Sequence, residues 1–391
     1  MTTGGLSDRA LIWGMAITQL IGWGTLFTPF PLMVAPMEAE LGWSRVTLNA
    51  AYTTGLLAGG LAAVPAGRWF DRHGGRGMMG LGTAAAALLL VGWSLVAHPL
   101  AYFAIWIGIG VAQAIGLWGI AMAVGGGQGR DATRSITIIS FITGFTGTVF
   151  LPLTDALIGA FGWRGALQAL AGLQAVSAVI AVAMLRHARR PGATTTHATA
   201  RVPLWARLRQ RAFLGLAVCF AAHAFIATGL GAHLIPLLRE RGWPEATVLL
   251  IAAAHGPAQV AARGLLFAAG RRVALRGVGL LAAALVPAGM LALAAGPASL
   301  ALTVVFVLAW AVADGLMTIV RAAGTAEILG REGYGTVTGA LSAISVLPRT
   351  GAPLLLALLW DGMGGYGLVP WLLVAVGVVG AAGYAAAARA R

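Results

Sequence analysis

The sequence predicts an all-α integral membrane protein of twelve transmembrane helices arranged as two pseudo-symmetric six-helix halves. Three observations carry that prediction. The first is composition: of 391 residues, 59% are hydrophobic and only 10% are charged, where a soluble chain would carry about a quarter charged. The second is that apolar runs of about 20 residues recur along nearly the whole chain, each long enough to cross a ~30 Å hydrocarbon core as a helix. The third is an internal repeat across a single long polar stretch. Strand-like alternation is absent and Ala, Leu and Gly dominate, which argues against a transmembrane barrel.

Breaks at Gly, Pro and charge clusters place helices at about 10–35, 46–66, 77–98, 100–124, 135–160, 164–185, 213–237, 245–269, 277–297, 299–320, 335–360 and 366–388. The first run is far longer than the ~7–15-residue core of a cleavable signal and is expected to stay as a helix. The polar stretch "RHARRPGATTTHATARVPLWARLRQR" (186–211) divides the chain nearly in half. It reads as a cytoplasmic linker (186–212) between an N-terminal half, 1–185, and a C-terminal half, 213–391. The halves repeat at an offset of 200, with "GW" at 42–43 and 242–243, Arg72 and Arg272, Arg76 and Arg276; Pro152 and Pro353 follow at 201. Duplicated membrane halves are the common architecture of secondary transporters, which hold substrate near the bilayer midplane between the repeats.

All 26 basic residues are arginine, giving a net charge of +14. With the N-terminus inside, twenty arginines fall in cytoplasmic segments, Arg321 among them. Four lie outside, namely Arg45, Arg164, Arg239 and Arg241. That bias places both termini in the cytoplasm, in a cell inner membrane. The basic balance therefore reports topology and a lipid bilayer, not a nucleic-acid partner. The single cysteine, Cys219, allows no internal disulfide and says nothing about redox compartment.

The stretch "GRWFDRHGGRG" (67–77) lies between the second and third helices. It resembles the signature loop of the major facilitator superfamily through Gly67, Asp71, Arg72, Gly74 and Arg76. A glycine at 67 permits close helix approach, and Asp71 can bind a helix N-terminus or an arginine. Such a cluster can latch the cytoplasmic side in one conformation and release it in the other; the simpler reading is a turn with ordinary inside-positive charge. At the repeat position Phe267 and Arg271 replace Gly67 and Asp71, so the second copy has lost this charge pairing. The resemblance spans the chain and includes "FGWR" (161–164). "ELGWSR" (40–45) is further similar to the branch that holds monocarboxylate transporters and the oxalate/formate antiporter.

Two arginines belong to no loop. Arg263 lies eight residues before Arg271, roughly 12 Å into the bilayer, and Arg349 lies mid-way along the eleventh helix. An intramembrane arginine costs about 2.5–3.5 kcal/mol on insertion scales and faces a partner or a water-filled cavity. One reading makes both arginines structural, paired with Asp314, Asp155 or backbone carbonyls. The other makes them forks for a carboxylate, a geometry that arginine suits. The resemblance implies the second. In that branch an arginine on helix eight binds the substrate carboxylate and a basic residue on helix eleven joins it in the oxalate antiporter, positions matched by Arg263 and Arg349. Gln259 stands where the proton-coupled members carry an aspartate, and Gln113 where proton-driven exporters often carry an arginine. Exchange by an antiporter or facilitated flux therefore fits better than proton symport. Asp314 and the histidines His255, His223 and His233 keep proton coupling open, because buried carboxyls and imidazoles can titrate near neutrality.

Gln19, Trp23 and Phe27 recur every four residues on one face of the first helix. They are candidates for the wall of a substrate cavity or for a packing stripe. No HExxH, P-loop or Cys/His metal spacing occurs, and "GGGQGR" (125–130) follows a membrane helix rather than a strand. Neither enzyme chemistry nor a cofactor is expected. The expected function is alternating-access transport of a small organic anion, a mono- or dicarboxylate, by a monomer. The alternatives are an exporter of drugs or other amphipathic compounds, and a receptor-like member that no longer transports.

Overall fold

Prolines decide where the first membrane helix breaks. The sequence reads as one helix over 10–35, yet the computed structural model divides it into α1 (Asp8–Leu26) and α2 (Phe30–Leu41). Pro29 and Pro31 lack the N–H that an unbroken ladder needs, and the chain turns at residues 27–29, where Phe30 N donates to Phe27 O at 3.2 Å. The structure describes residues 8–73, 76–125, 139, 141–185, 209–269, 273–296, 299–330 and 334–390.

The following helices are α3 (Arg45–His73), α4 (Arg76–Ser94), α5 (Pro99–Gly125) and α6 (Thr146–Leu185). The expected fifth and sixth helices meet within α6 at Gly162, whose φ of 67° and ψ of 173° is backbone that a residue with a Cβ avoids. Then come α7 (Arg211–Glu240), α8 (Glu245–Ala269), α9 (Leu275–Ala295) and α10 (Leu300–Ile319). A π turn (Val320–Gly324) carries α10 directly into α11 (Thr325–Leu329). The last two are α12 (Tyr334–Met363) and α13 (Val369–Arg389). No strand occurs among the described residues, and 8 of their helical stretches are long and apolar enough to cross a membrane.

The chain divides into two compact units, Met1–Thr195 and Thr196–Arg391. Within the first, α1 packs on α6, α3 on α5, and α4 on both α5 and α6; within the second, α7 packs on α12 and α13, α8 on α10, and α9 on both α10 and α13. The neighbours are the same once the repeat is counted. Small residues permit these approaches: a Cβ on Gly110 of α5 would stand 1.9 Å from the Gly55 carbonyl oxygen of α3. Membrane helices lack a strong hydrophobic drive to associate and rely on such close contact.

Each unit also carries an indole-to-glutamate hydrogen bond and an arginine–glutamate pair. In the first unit the Trp163 indole N–H donates to Glu40; in the second, that of Trp360 donates to Glu240 at 2.7 Å. Arg45 at the start of α3 grips Glu38 of α2 through two bonds, at 3.0 and 2.8 Å. In the second unit the signs are exchanged, and Arg239 of α7 grips Glu245 of α8.

The loop motif sits where the sequence places it. Gly67, Asp71 and Arg72 lie in the last turns of α3 and Arg76 opens α4. Gly74, the side chains of the motif, residues 126–130 and the linker over 186–208 lie outside the described residues. In the second copy Arg276 approaches Glu327 at 3.9 Å, so a charge contact survives there, its acid supplied by α11 rather than by the loop.

Candidate functional site

Two stripes of side chains with helical spacing meet in the second unit. On α8, His255, Gln259 and Arg263 stand at i, i+4 and i+8; on α10, Trp310, Asp314 and Thr318 do the same. Residues so spaced share one helix face, and the two faces are apposed. Gln259 Nε2 donates to Asp314 Oδ2, and His255 Nε2 lies 3.3 Å from the same oxygen. Arg263 Nη2 donates to Thr318 Oγ1 at 3.1 Å and its Nε reaches Gly315 O at 3.4 Å. Thr318 Oγ1 in turn donates to Asp314 O at 3.0 Å. Gly315 makes the contact close, since a Cβ there would stand 2.6 Å from Gln259 O.

A third helix completes the cluster. His223 of α7 brings Nε2 to 3.2 Å from Asp314 Oδ1, the distance of an ion pair without the alignment of a hydrogen bond. One carboxylate thus stands between two imidazoles, one oxygen toward each. Trp310 lies flat beside both, its ring centroid 5.3 Å from His223 and 6.1 Å from His255, with interplanar angles of 34° and 27°. Trp310 and Asp314 thus border the same two imidazoles. Among the described residues no group of three His, Cys, Asp or Glu side chains is arranged to hold a metal ion.

Arg321 corrects a sequence expectation. It was placed in a cytoplasmic loop, but it lies in the π turn, half-buried, with Nη2 donating to Phe220 O at 3.1 Å and its guanidinium 4.8 Å from the Phe220 ring centroid. The wider π turn carries the backbone on past α10, so no loop begins at this charge. Such turns are frequent at functional sites. Arg349, on α12, lies within electrostatic reach of Arg321. It is exposed, and no hydrogen bond or ion pair to it is found among the described residues.

The remaining candidates separate. His233 is buried in a structural role, hydrogen-bonded through Nδ1 to Tyr366 Oη at 2.7 Å and through Nε2 to Pro353 O at 2.8 Å. Phe27 is buried in the first unit, 5.9 Å from Tyr52 and 6.2 Å from Trp106 between ring centroids, and Trp23 lies 5.5 Å from Phe27. Gln19 is buried on α1 with Trp23, its Nε2 unsatisfied in the described structure, while Phe27 falls in the turn after that helix and not on its face; Gln113 is half-buried on α5. Sequence reasoning gave no role to Arg321 and did not pair His223 with Asp314. The four-residue spacing of 255/259/263 and 310/314/318 was the available signal.

The family model described as Major Facilitator Superfamily matches residues 13–353. The chain belongs to the major facilitator superfamily. It is therefore a multi-pass membrane transporter rather than an enzyme. Among solved structures it is similar to a bacterial homologue of the human lysosomal transporter Spinster. The inward-facing, occupied form matches with a TM-score of 0.75 at 16% identity, covering 99% of this chain and 98% of that one. The inward-facing, unoccupied form matches with a TM-score of 0.72 at 16% identity over 98% of both chains. At that identity the likeness shows the fold, and the major facilitator fold is the one expected from sequence. No curated protein matches the sequence of this transporter.

Proposed function

We propose that this transporter carries a small organic anion, a mono- or dicarboxylate, across the cell inner membrane by alternating access, with both termini in the cytoplasm. Arg349 is the observation that carries the reading. It stands fifteen residues from the first residue of α12 and fourteen from the last, about 21–22 Å along the helix from either end. A guanidinium at that depth, exposed and without a partner among the described residues, faces water or an anionic ligand rather than hydrocarbon. Arg321 adds a second positive charge nearby, and Arg263, oriented by Thr318 and Gly315, a third on the same unit. Three arginines face one nearby acid, Asp314, which leaves positive charge for an anion, and the planar fork suits a carboxylate. The monocarboxylate and oxalate/formate branch is the part of the superfamily that this reading favours. Gln259 and the first-unit residues Gln19, Trp23 and Phe27 remain candidates for its polar and apolar walls.

The test is a thermal-shift screen of the purified protein against formate, lactate, oxalate and succinate, followed by uptake into proteoliposomes. A ligand at 100 times its Kd adds about 2.7 kcal/mol of stability. Stabilisation by carboxylates with saturable uptake supports the reading. Stabilisation by a lipophilic cation such as tetraphenylphosphonium, and by none of the acids, would turn it into an exporter of amphipathic compounds. Ligand-induced stabilisation without flux would make it receptor-like.

A further inference from the structure

Arginines at one end of the second unit share a depth that is fixed by glycine contacts. A Cβ on Gly215 of α7 would stand 2.3 Å from Gly383 O and 3.0 Å from the Ala387 backbone nitrogen of α13. One on Gly380 would stand 2.9 Å from Ala222 Cβ. The two helices therefore run antiparallel, 215 opposite 383–387 and 222 opposite 380, and this register sets Arg211 opposite Arg389. On its other side α13 meets α9, where a Cβ on Gly377 would stand 3.2 Å from Pro287. Counting along that pair brings Arg276 within two residues of the same level, about 3 Å along the axis.

The side chains at this end face outward. Among residues 211–218 of α7, Arg211, Leu214 and Val218 are the exposed ones; among residues 382–389 of α13 they are Ala382, Ala386 and Arg389. Spacings of three and four put each set on one helix face. Each face is a strip of apolar side chains that ends in a guanidinium, and the two strips belong to helices packed together. Arg276 approaches Glu327 at 3.9 Å, but no hydrogen bond or ion pair to Arg211 or Arg389 is found among the described residues.

We propose that this face binds an anionic phospholipid, its phosphate held between Arg211 and Arg389 and an acyl chain laid along Leu214, Val218, Ala386 and Ala382. The occupant follows from how charge and apolar surface are joined. A soluble anion would need the cations alone, and lipid contact alone would need only the strips. An amphiphile with an anionic head matches both parts at once. Guanidinium forks bond phosphate oxygens in pairs, and basic pockets between membrane helices take acidic headgroups. The methyls of Ala382 and Ala386 leave a furrow beside the larger Leu214 and Val218. Charge bias asks only that arginines stand at this end of the helices; it asks neither for a common level nor for a common outward face. Because α7 opens the second unit and α13 closes it, the lipid ties the first helix of the unit to the last.

The test titrates the purified full-length protein, in a neutral detergent, with dioleoylphosphatidylglycerol. The reference is dioleoylphosphatidylcholine, which has the same chains and no net charge, and binding is read by native mass spectrometry. An arginine near an anionic headgroup contributes about fivefold in affinity. The preference for phosphatidylglycerol should therefore fall about fivefold in Arg211→Gln and in Arg389→Gln, and roughly thirtyfold in the double variant. Arg239→Gln, at the opposite end of α7, should leave it unchanged. Equal binding of the two lipids by the parent protein, or a preference that survives the double substitution, overturns the proposal. Glycerol 1-phosphate, the headgroup without chains, should compete poorly; displacement of the lipid at equal concentration would mean a site for a soluble phosphate. A phosphatidylglycerol with a diazirine on one acyl chain gives a readout in the unaltered protein. Its crosslinks should fall on residues 211–218 and 382–389, and crosslinks confined to other helices would sink the assignment.

Discussion

The two units share a packing scheme and differ in what fills it. At the centre of the first, Phe30 stacks on Tyr52 at 4.1 Å, Trp106 meets Tyr52 edge-on at 4.9 Å, and Trp93 stands 4.9 Å from Trp106. These rings are buried, several of them completely. In the second unit the α8–α10 contact, equivalent to α3–α5, carries His255, Gln259, Arg263 and Asp314 instead, with His223 reaching in from α7. The first unit fills this contact with aromatic rings, while the second, which keeps an apolar core around Phe213, Phe220 and Tyr384, fills it with polar and charged side chains. A duplicated fold can divide labour in this way because packing is set by small residues and helix faces, which both units retain, while the chemistry needs only a few positions in one of them.

The sharpest way to break this comparison is to damage the first core and ask whether the second unit notices. Trp106→Ala should cost about 3–5 kcal/mol of stability, the usual cost of deleting a large buried aromatic. Among molecules that stay folded, carboxylate binding should be unchanged. Weakened binding would mean that the aromatic core helps to build the second unit's site. Next comes Arg349→Gln, which should weaken carboxylate binding by about 2–5 kcal/mol, roughly thirty- to several thousand-fold, without loss of folded protein. Arg349→Lys keeps the charge without the fork and should retain part of the affinity. Restored binding in a variant that also neutralises Asp314 would show the arginine to be structural.

A smaller effect is expected at Gly315. Gly315→Ala places a methyl against the Gln259 carbonyl, and overpacking of this kind costs about 1–3 kcal/mol. Because it separates α8 from α10 and disturbs the bonds that orient Arg263, it should also weaken carboxylate binding, whereas Gly110→Ala, at the equivalent contact of the first unit, should cost stability alone. Equal effects of the two on binding would erase the distinction between the units. The smallest effects should come from Trp163→Phe and Trp360→Phe, each removing one hydrogen bond to a glutamate and costing about 1 kcal/mol. Similar melting shifts for the two would confirm that the repeat extends to energetics.

The fold was legible because hydrophobic length and the loop motif survive in sequence without any tertiary information. Where the reading departed from the structure, backbone chemistry was responsible. Pro29 broke a helix that hydropathy made continuous, and Gly162 turned the chain between helices without ending them. Arg321 looked like a loop residue because a charge after an apolar run usually is one; a π turn is invisible to hydropathy. The candidate site was legible one helix at a time. The spacing of His255, Gln259 and Arg263 puts them on one face, but nothing local says that Asp314 of α10 and His223 of α7 face them. That pairing depends on close approach at Gly315, a tertiary fact.

The reversed ion pairs at the turns between the first two helices of each unit have a consequence for assembly. During membrane insertion α2 leads into α3, and α7 into α8, two similar hairpins in one chain. If an α2 end met the start of α8, Glu38 would face Glu245; if an α7 end met the start of α3, Arg239 would face Arg45. Like charges brought together cost energy that correct partners do not, and misassembly between repeats is a characteristic failure of duplicated chains. The exchange of signs at Glu38–Arg45 and Arg239–Glu245 thus matches each hairpin to its own helices by charge.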